Sequence, residues 1–126
     1  MKSAIRWIPA VAWMGLIFWL SSGPLPSTGG IEIPDKAAHF GAWAVLGALL
    51  WYAFAALGVG RGGAFAFIVA ALYGAGDEFH QRFVAGRSAD VADWLTDMAG
   101  SAAVLMLITT IAARRARGRS RGHGAA

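Results

Sequence analysis

Residues 76–100, GDEFHQRFVAGRSADVADWLTDMAG, decide how this chain is read. They hold five of the seven acidic residues, with His80, Arg82 and Arg87, and apolar, alanine-rich sequence flanks them on both sides. A soluble protein sets such a cluster on a wet surface at little cost. Here it separates two segments suited to lipid, where ionisable groups are costly and are functional candidates by default. Hydrophobic residues make up 57% of the 126 positions and charged residues 14%, against ~25% charged in ordinary soluble domains. With a mean hydropathy of +0.54, the composition is that of an integral membrane protein of one domain.

Upstream of the cluster, an apolar helix over about 63–81 continues to Gln81, because Tyr73, Asp77 and His80 share a face at spacings of four and three. Downstream, FVAGRS turns around Gly86, and a last helix spans about 89–113. Asp90, Asp93, Asp97 and Gly100 fall on one narrow stripe of it, and the small residues Gly100, Ser101, Ala102 and Ala103 let neighbouring backbones approach. Before the cluster, residues 58–63 (GVGRGG) read as a tight turn. Residues 36–57 supply a span close to the ~20 apolar residues a bilayer requires, with Asp35 as N-cap and one turn from His39. Residues 21–34 are a Ser-, Gly- and Pro-rich loop. Residues 5–21 are a first helix behind Lys2 and Arg6; the signal-peptide alternative is disfavoured because Pro24 and Pro26 crowd the cleavage region. The expected fold is therefore an all-α bundle of four transmembrane helices over residues 1–113, with residues 114–126 a basic, disordered cytoplasmic tail.

Positive charge sets the orientation. With both termini inside, the inner face collects Lys2, Arg6, Arg61 and five tail arginines, against Lys36, Arg82 and Arg87 outside. The tail suits anionic lipid better than nucleic acid. In this N-in, C-in arrangement Asp35, His39, residues 77–87 and the head of the last helix all reach the outer leaflet. The expected polar pocket contains Asp35, Lys36, His39, Tyr73, Asp77, Glu78, His80, Gln81, Arg87, Asp93 and Asp97. Asp97, about two turns into its helix, would cost roughly 2.5–3.5 kcal/mol if ionised in lipid, so it calls for a partner; His39 and Arg87 are the natural ones.

Chemistry is less legible than location. Asp77, Glu78 and His80 are the candidates for general acid–base work, although Glu78 and Arg82 at four spacing read more simply as a helix ion pair. No nucleophile elbow is present, and no phosphate-binding glycine motif. Carboxylates with His39 offer ligands for a hard cation, but there is no HExxH or paired-histidine spacing, so no metal and no cofactor are expected. The absence of cysteine excludes disulfides and thiolate sites.

Several stretches together resemble the VanZ-like membrane proteins, named for a teicoplanin-resistance accessory protein. IFWLSSGPLP is similar to the family's end of the first helix. PDKAAHFGAWAVLGALL resembles its DK-x-x-H-F…LG motif through Asp35, Lys36, His39, Phe40 and Gly47. In YGAGDEFHQRFVAGRSADVADWLTDMAG, the residues Tyr73, Gly74, Asp77, Glu78, Gln81, Phe83, Val84, Gly86, Arg87, Asp93 and Gly100 fall on its longer signature. The match covers residues 18–107. Ala85 stands where proline is usual, and Asp97 where asparagine is common. The resemblance implies a small multi-pass protein of the bacterial cytoplasmic membrane, linked in some members to glycopeptide susceptibility. The reading is an accessory or binding protein at the cell envelope, its partners membrane lipids and a lipid-linked cell-wall intermediate or a glycopeptide. An enzyme acting on a lipid head group and a purely structural subunit are the alternatives.

Overall fold

The computed structural model describes residues 2–23 and 35–123. All regular structure among them is helical: α1 (Lys2–Ile5), α2 (Ile8–Ser21), α3 (Asp35–Ala53), a single 3-10 turn (Ala55–Leu57), α4 (Val59–Gln81) and α5 (Val91–His123). Most of the loop expected over 21–34 lies outside the described residues.

The boundaries depart from expectation in four places, each with a local cause. The first helix is interrupted at Arg6–Trp7, because Pro9 has no N–H for the Ile5 carbonyl and its ring collides with a carbonyl four residues back. The helical ladder restarts with Val11 N–H donating to Trp7 O at 2.9 Å. The second span stops at Ala53 rather than residue 57, since the chain turns through Gly58 at φ +83°, a conformation glycine takes without steric cost. The glycine-rich stretch 58–63 is then mostly helix, not turn. Gly62 N–H donates to Gly58 O at 2.9 Å, and a Cβ on Gly62 would stand 3.1 Å from the Phe54 carbonyl oxygen. Glycine is used there for close packing. Finally, the arginine-rich tail continues α5 to His123 instead of being disordered. Alanine and arginine are strong helix formers, and arginines near a helix C-terminus oppose its negative dipole end.

α3 and α5 pack most extensively, α4 lies against both, and α2 rests on α3 and α4. Small residues bring α3 and α5 together. A Cβ on Gly47 would sit 3.2 Å from Ser101 Cα, Gly100 abuts the Phe40 backbone, and Ser101 Oγ donates to Trp43 O at 3.0 Å. Three indoles fasten neighbouring helices by donating to main-chain carbonyls: Trp13 to Ala42 at 2.9 Å, Trp43 to Ala70 at 3.3 Å and Trp94 to Ala71 at 3.0 Å. Each satisfies its own N–H while filling space, as buried tryptophans require.

The distribution of polarity is inverted. Trp19, Leu72, Val91 and Met106 are all more than 60% exposed, whereas Asp77, Glu78, Asp93, Asp97 and Ser101 are buried. A large apolar exterior marks a surface made for lipid or for another apolar partner. The α5 segment Val91–Gly118 is the one helix among the described residues long and apolar enough by itself to cross a membrane.

Candidate functional site

The site lies where the C-terminal ends of α2 and α4 meet the N-terminal ends of α3 and α5. At the head of α5, Asp90 caps the helix by accepting from Ala92 N–H at 2.8 Å, relieving one of its orphan donors. Its own N–H donates to Glu78 Oε2 at 2.9 Å, which ties α4 to the start of α5. The connecting turn passes through Gly86 at φ +80°, in the left-handed region that the expected turn requires. Lys36 at the head of α3 donates to Asp93 at 2.8 Å and lies 3.7 Å from Asp90.

One layer deeper, His39 Nδ1 pairs with Asp97 Oδ1 at 2.8 Å, and both side chains are buried. Asp97 thus has the partner its depth demands, and of the two candidates it is His39. Two structural choices make room. Gly74 of α4 faces the pair: a Cβ there would be 3.2 Å from Asp97 Oδ2 and 3.1 Å from Trp43 Nε1. The His39 ring stacks on Trp43 at 5.8 Å between centroids.

Asp77 is a separate hub. Its carboxylate accepts from Ser21 Oγ at 2.5 Å and from Gln81 Nε2 at 3.0 Å. Beside it opens a cavity of about 150 Å³ whose wall includes Asp35, His39, Asp77, Gln81 and Arg87 on the polar side and Ile17, Leu20 and Ala42 on the apolar side. Five of the expected pocket residues therefore line one space. Lys36, Asp93, Glu78 and Asp97 stand in the adjoining network. Tyr73 is set apart, its hydroxyl donating to Met14 O at 2.6 Å.

Three expectations about individual residues change. Arg87 does not reach Asp97: Nε donates to Gly23 O and Nη2 to Leu20 O, each at 2.9 Å. It binds one carbonyl in the last turn of α2, where a cation complements the helix dipole, and one two residues beyond the helix end. The expected Glu78–Arg82 ion pair does not form: Glu78 Oε2 accepts from the Asp90 N–H, and Arg82 lies over the Phe79 ring at 5.8 Å. And Asp77, Glu78 and His80 do not share a task. Asp77 faces Ser21, Glu78 faces α5, and His80 Nε2 contacts Ser22 Oγ at 3.1 Å with its ring against Phe18.

Two contributors were invisible in the sequence. Ser21 and Ser22 read only as the junction of the first helix and its loop, yet at the end of α2 they supply the contacts to Asp77 and His80. Only their position at the end of an apolar run, opposite a buried acid, could have pointed to them.

The HF-containing head of α3, the DE pair of α4 and the FVAGR turn meet at this one end, in the arrangement their order along the chain demands. Comparison with curated proteins and with solved structures returns no match, whereas residues 5–112 match the VanZ/LLP1 family. On a match over most of its length, the chain belongs to the VanZ/LLP1 family.

Proposed function

We propose that the chain is a four-span, N-in, C-in protein of the bacterial cytoplasmic membrane that binds a polar lipid head group at the outer leaflet, in an accessory rather than catalytic role. The carrying observation is the cavity beside Asp77, whose wall passes from Ile17 and Leu20 to Asp35, Asp77 and Gln81. A wall of that kind accepts an acyl-linked molecule with a hydrogen-bond-donating head. Its volume, about 150 Å³, is well under the roughly 300–1,000 Å³ of pockets that enclose drug-sized ligands. That size favours a head group over an intact glycopeptide inside the protein, so any effect on glycopeptide susceptibility is exerted through the envelope lipid. The exposed apolar side chains on all four long helices support four spans, although α2 is short and, among the described residues, α5 alone is both long and apolar enough to cross by itself. A short span is accommodated by local thinning of the bilayer. The dispersal of Asp77, Glu78 and His80 among separate partners favours binding over acid–base catalysis, which needs its groups within reach of one reacting atom.

In a teicoplanin-sensitive host, expression of the full chain is expected to raise the inhibitory concentration severalfold. Asp77→Asn, which keeps the size of the side chain, is expected to return it to the basal value at equal protein abundance. Unchanged protection by that variant would remove the cavity from the function. The orientation is tested separately: a single cysteine at Ser88, in this cysteine-free chain, should react with an impermeant maleimide added to intact spheroplasts. Reaction only after lysis would reverse the topology.

A further inference from the structure

His39, Glu78 and Asp97 come from α3, α4 and α5, and one potential ligand atom from each lies within 4.8 Å of the others. All three side chains are buried. Within this group, Glu78 Oε1 and Asp97 Oδ2 have no hydrogen-bond partner among the described residues. Buried carboxylate oxygens that find no donor are rare, and each one calls for a specific explanation such as an ion.

Charge leads to the same place. Four carboxylates (Asp77, Glu78, Asp93 and Asp97) are buried at this end of the bundle. The cations packed there are already engaged: Lys36 with Asp93 and Asp90, Arg87 with the Leu20 and Gly23 carbonyls, and Arg82 over the Phe79 ring. A single imidazole does not neutralise both Glu78 and Asp97, and uncompensated buried charge is strongly unfavourable.

We infer that His39, Glu78 and Asp97 hold a divalent first-row transition-metal cation. One imidazole nitrogen with carboxylate oxygens is a mixed donor set suited to manganese, iron or zinc rather than to calcium or magnesium alone. The neighbouring trio of Asp35, His39 and Asp93 is the weaker host, because Asp35 is exposed and Asp93 already accepts from Lys36. The cation would bridge three helices, and so would lock the end of the bundle that forms the cavity wall through His39. Asp77 is outside the trio, which separates this site from the head-group reading.

The test uses the full chain purified in detergent without a polyhistidine tag, stripped with chelator and equilibrated separately with Mn²⁺ and Zn²⁺. Elemental analysis should recover about one equivalent per chain with one of these ions, and bound metal should raise the thermal unfolding temperature. Glu78→Gln and His39→Gln should each weaken retention by about 10–100-fold or more, while Asp77→Asn retains the metal. If a trio variant fails to fold, pulsed electron-spin spectra of the Mn²⁺-loaded wild type decide the question: nitrogen coupling from a histidine is expected. Absence of stoichiometric metal, retention by Glu78→Gln, or a Mn²⁺ spectrum without nitrogen coupling would each overturn the assignment. Loss of protection in Asp77→Asn with metal intact would support both readings, whereas metal loss in Glu78→Gln with protection intact would support the metal site and show it to be independent of the head-group reading.

Discussion

Gly100→Ala is expected to prevent the four helices from assembling. A Cβ at this position runs into the carbonyl of Phe40, a main-chain atom of α3, and also meets Phe40 Cα at 3.1 Å. A flexible side chain could rotate away; the backbone of a helix can move only as a body. Overpacking ordinarily costs about 1–3 kcal/mol, and here the displaced element is the helix with the largest interface to α5. The cost should exceed that range and show as loss of protein from the membrane fraction, with residual material unfolding at much lower temperature in detergent. Gly41→Ala is the matched control. Nothing lies within 4 Å of a Cβ there, so the change should be neutral or stabilise by up to about 1 kcal/mol. If both variants accumulate equally, close approach of α3 and α5 at Gly100 is not how the bundle is held.

That small residues on the last helix admit a neighbour was readable from their spacing. Which of them do so was not. Gly100 and Ser101 face α3, but Ala103 is exposed, since rotation of a helix depends on its partners and not on its own composition. The same distinction runs through the site. Helical spacing brought Asp35, His39, Asp77, Asp93 and Asp97 to one end, because periodicity and chain order fix which ends coincide. Pairing was harder to foresee. Arg87 was one of two candidate partners for Asp97, yet a long side chain on a turn finds nearer acceptors, the carbonyls of Leu20 and Gly23 at the end of α2 and just beyond it. Glu78 and Arg82 have the spacing of an ion pair, yet one carboxylate oxygen accepts from a backbone N–H of another segment and the guanidinium lies over Phe79. Tertiary contacts outbid local ones wherever a helix end must be satisfied. The arginine-rich tail erred the other way: its low complexity suggested disorder, while its alanine and arginine content carries strong helix propensity.

Asp97→Ala should be the most damaging change to a single side chain in the polar network. Asp97 is fully buried and its partner His39 is nearly so, 2.8 Å away. Removing one member of a buried, hydrogen-bonded pair typically costs about 3–5 kcal/mol, because the other is left without compensation. Asp97→Asn retains an oxygen that accepts from the imidazole and should cost only about 1–2 kcal/mol. Replacing both residues together, His39→Leu with Asp97→Leu, should recover much of the loss, since an apolar pair removes the buried polar groups altogether. Thermal unfolding in detergent with excess chelator, arranged as a double-mutant cycle, isolates the pair from any bound cation. Additive single losses, with no recovery in the double variant, would show that the two side chains are not energetically coupled.

α5 carries Asp93 and Asp97 near one end and a run of arginines at the other, as one uninterrupted helix of 33 residues. At 1.5 Å per residue it measures about 50 Å, well beyond the ~30 Å hydrocarbon thickness of a bilayer. A hydrocarbon layer crossed by this helix cannot cover its whole length, so at least one of its charged ends must project from it.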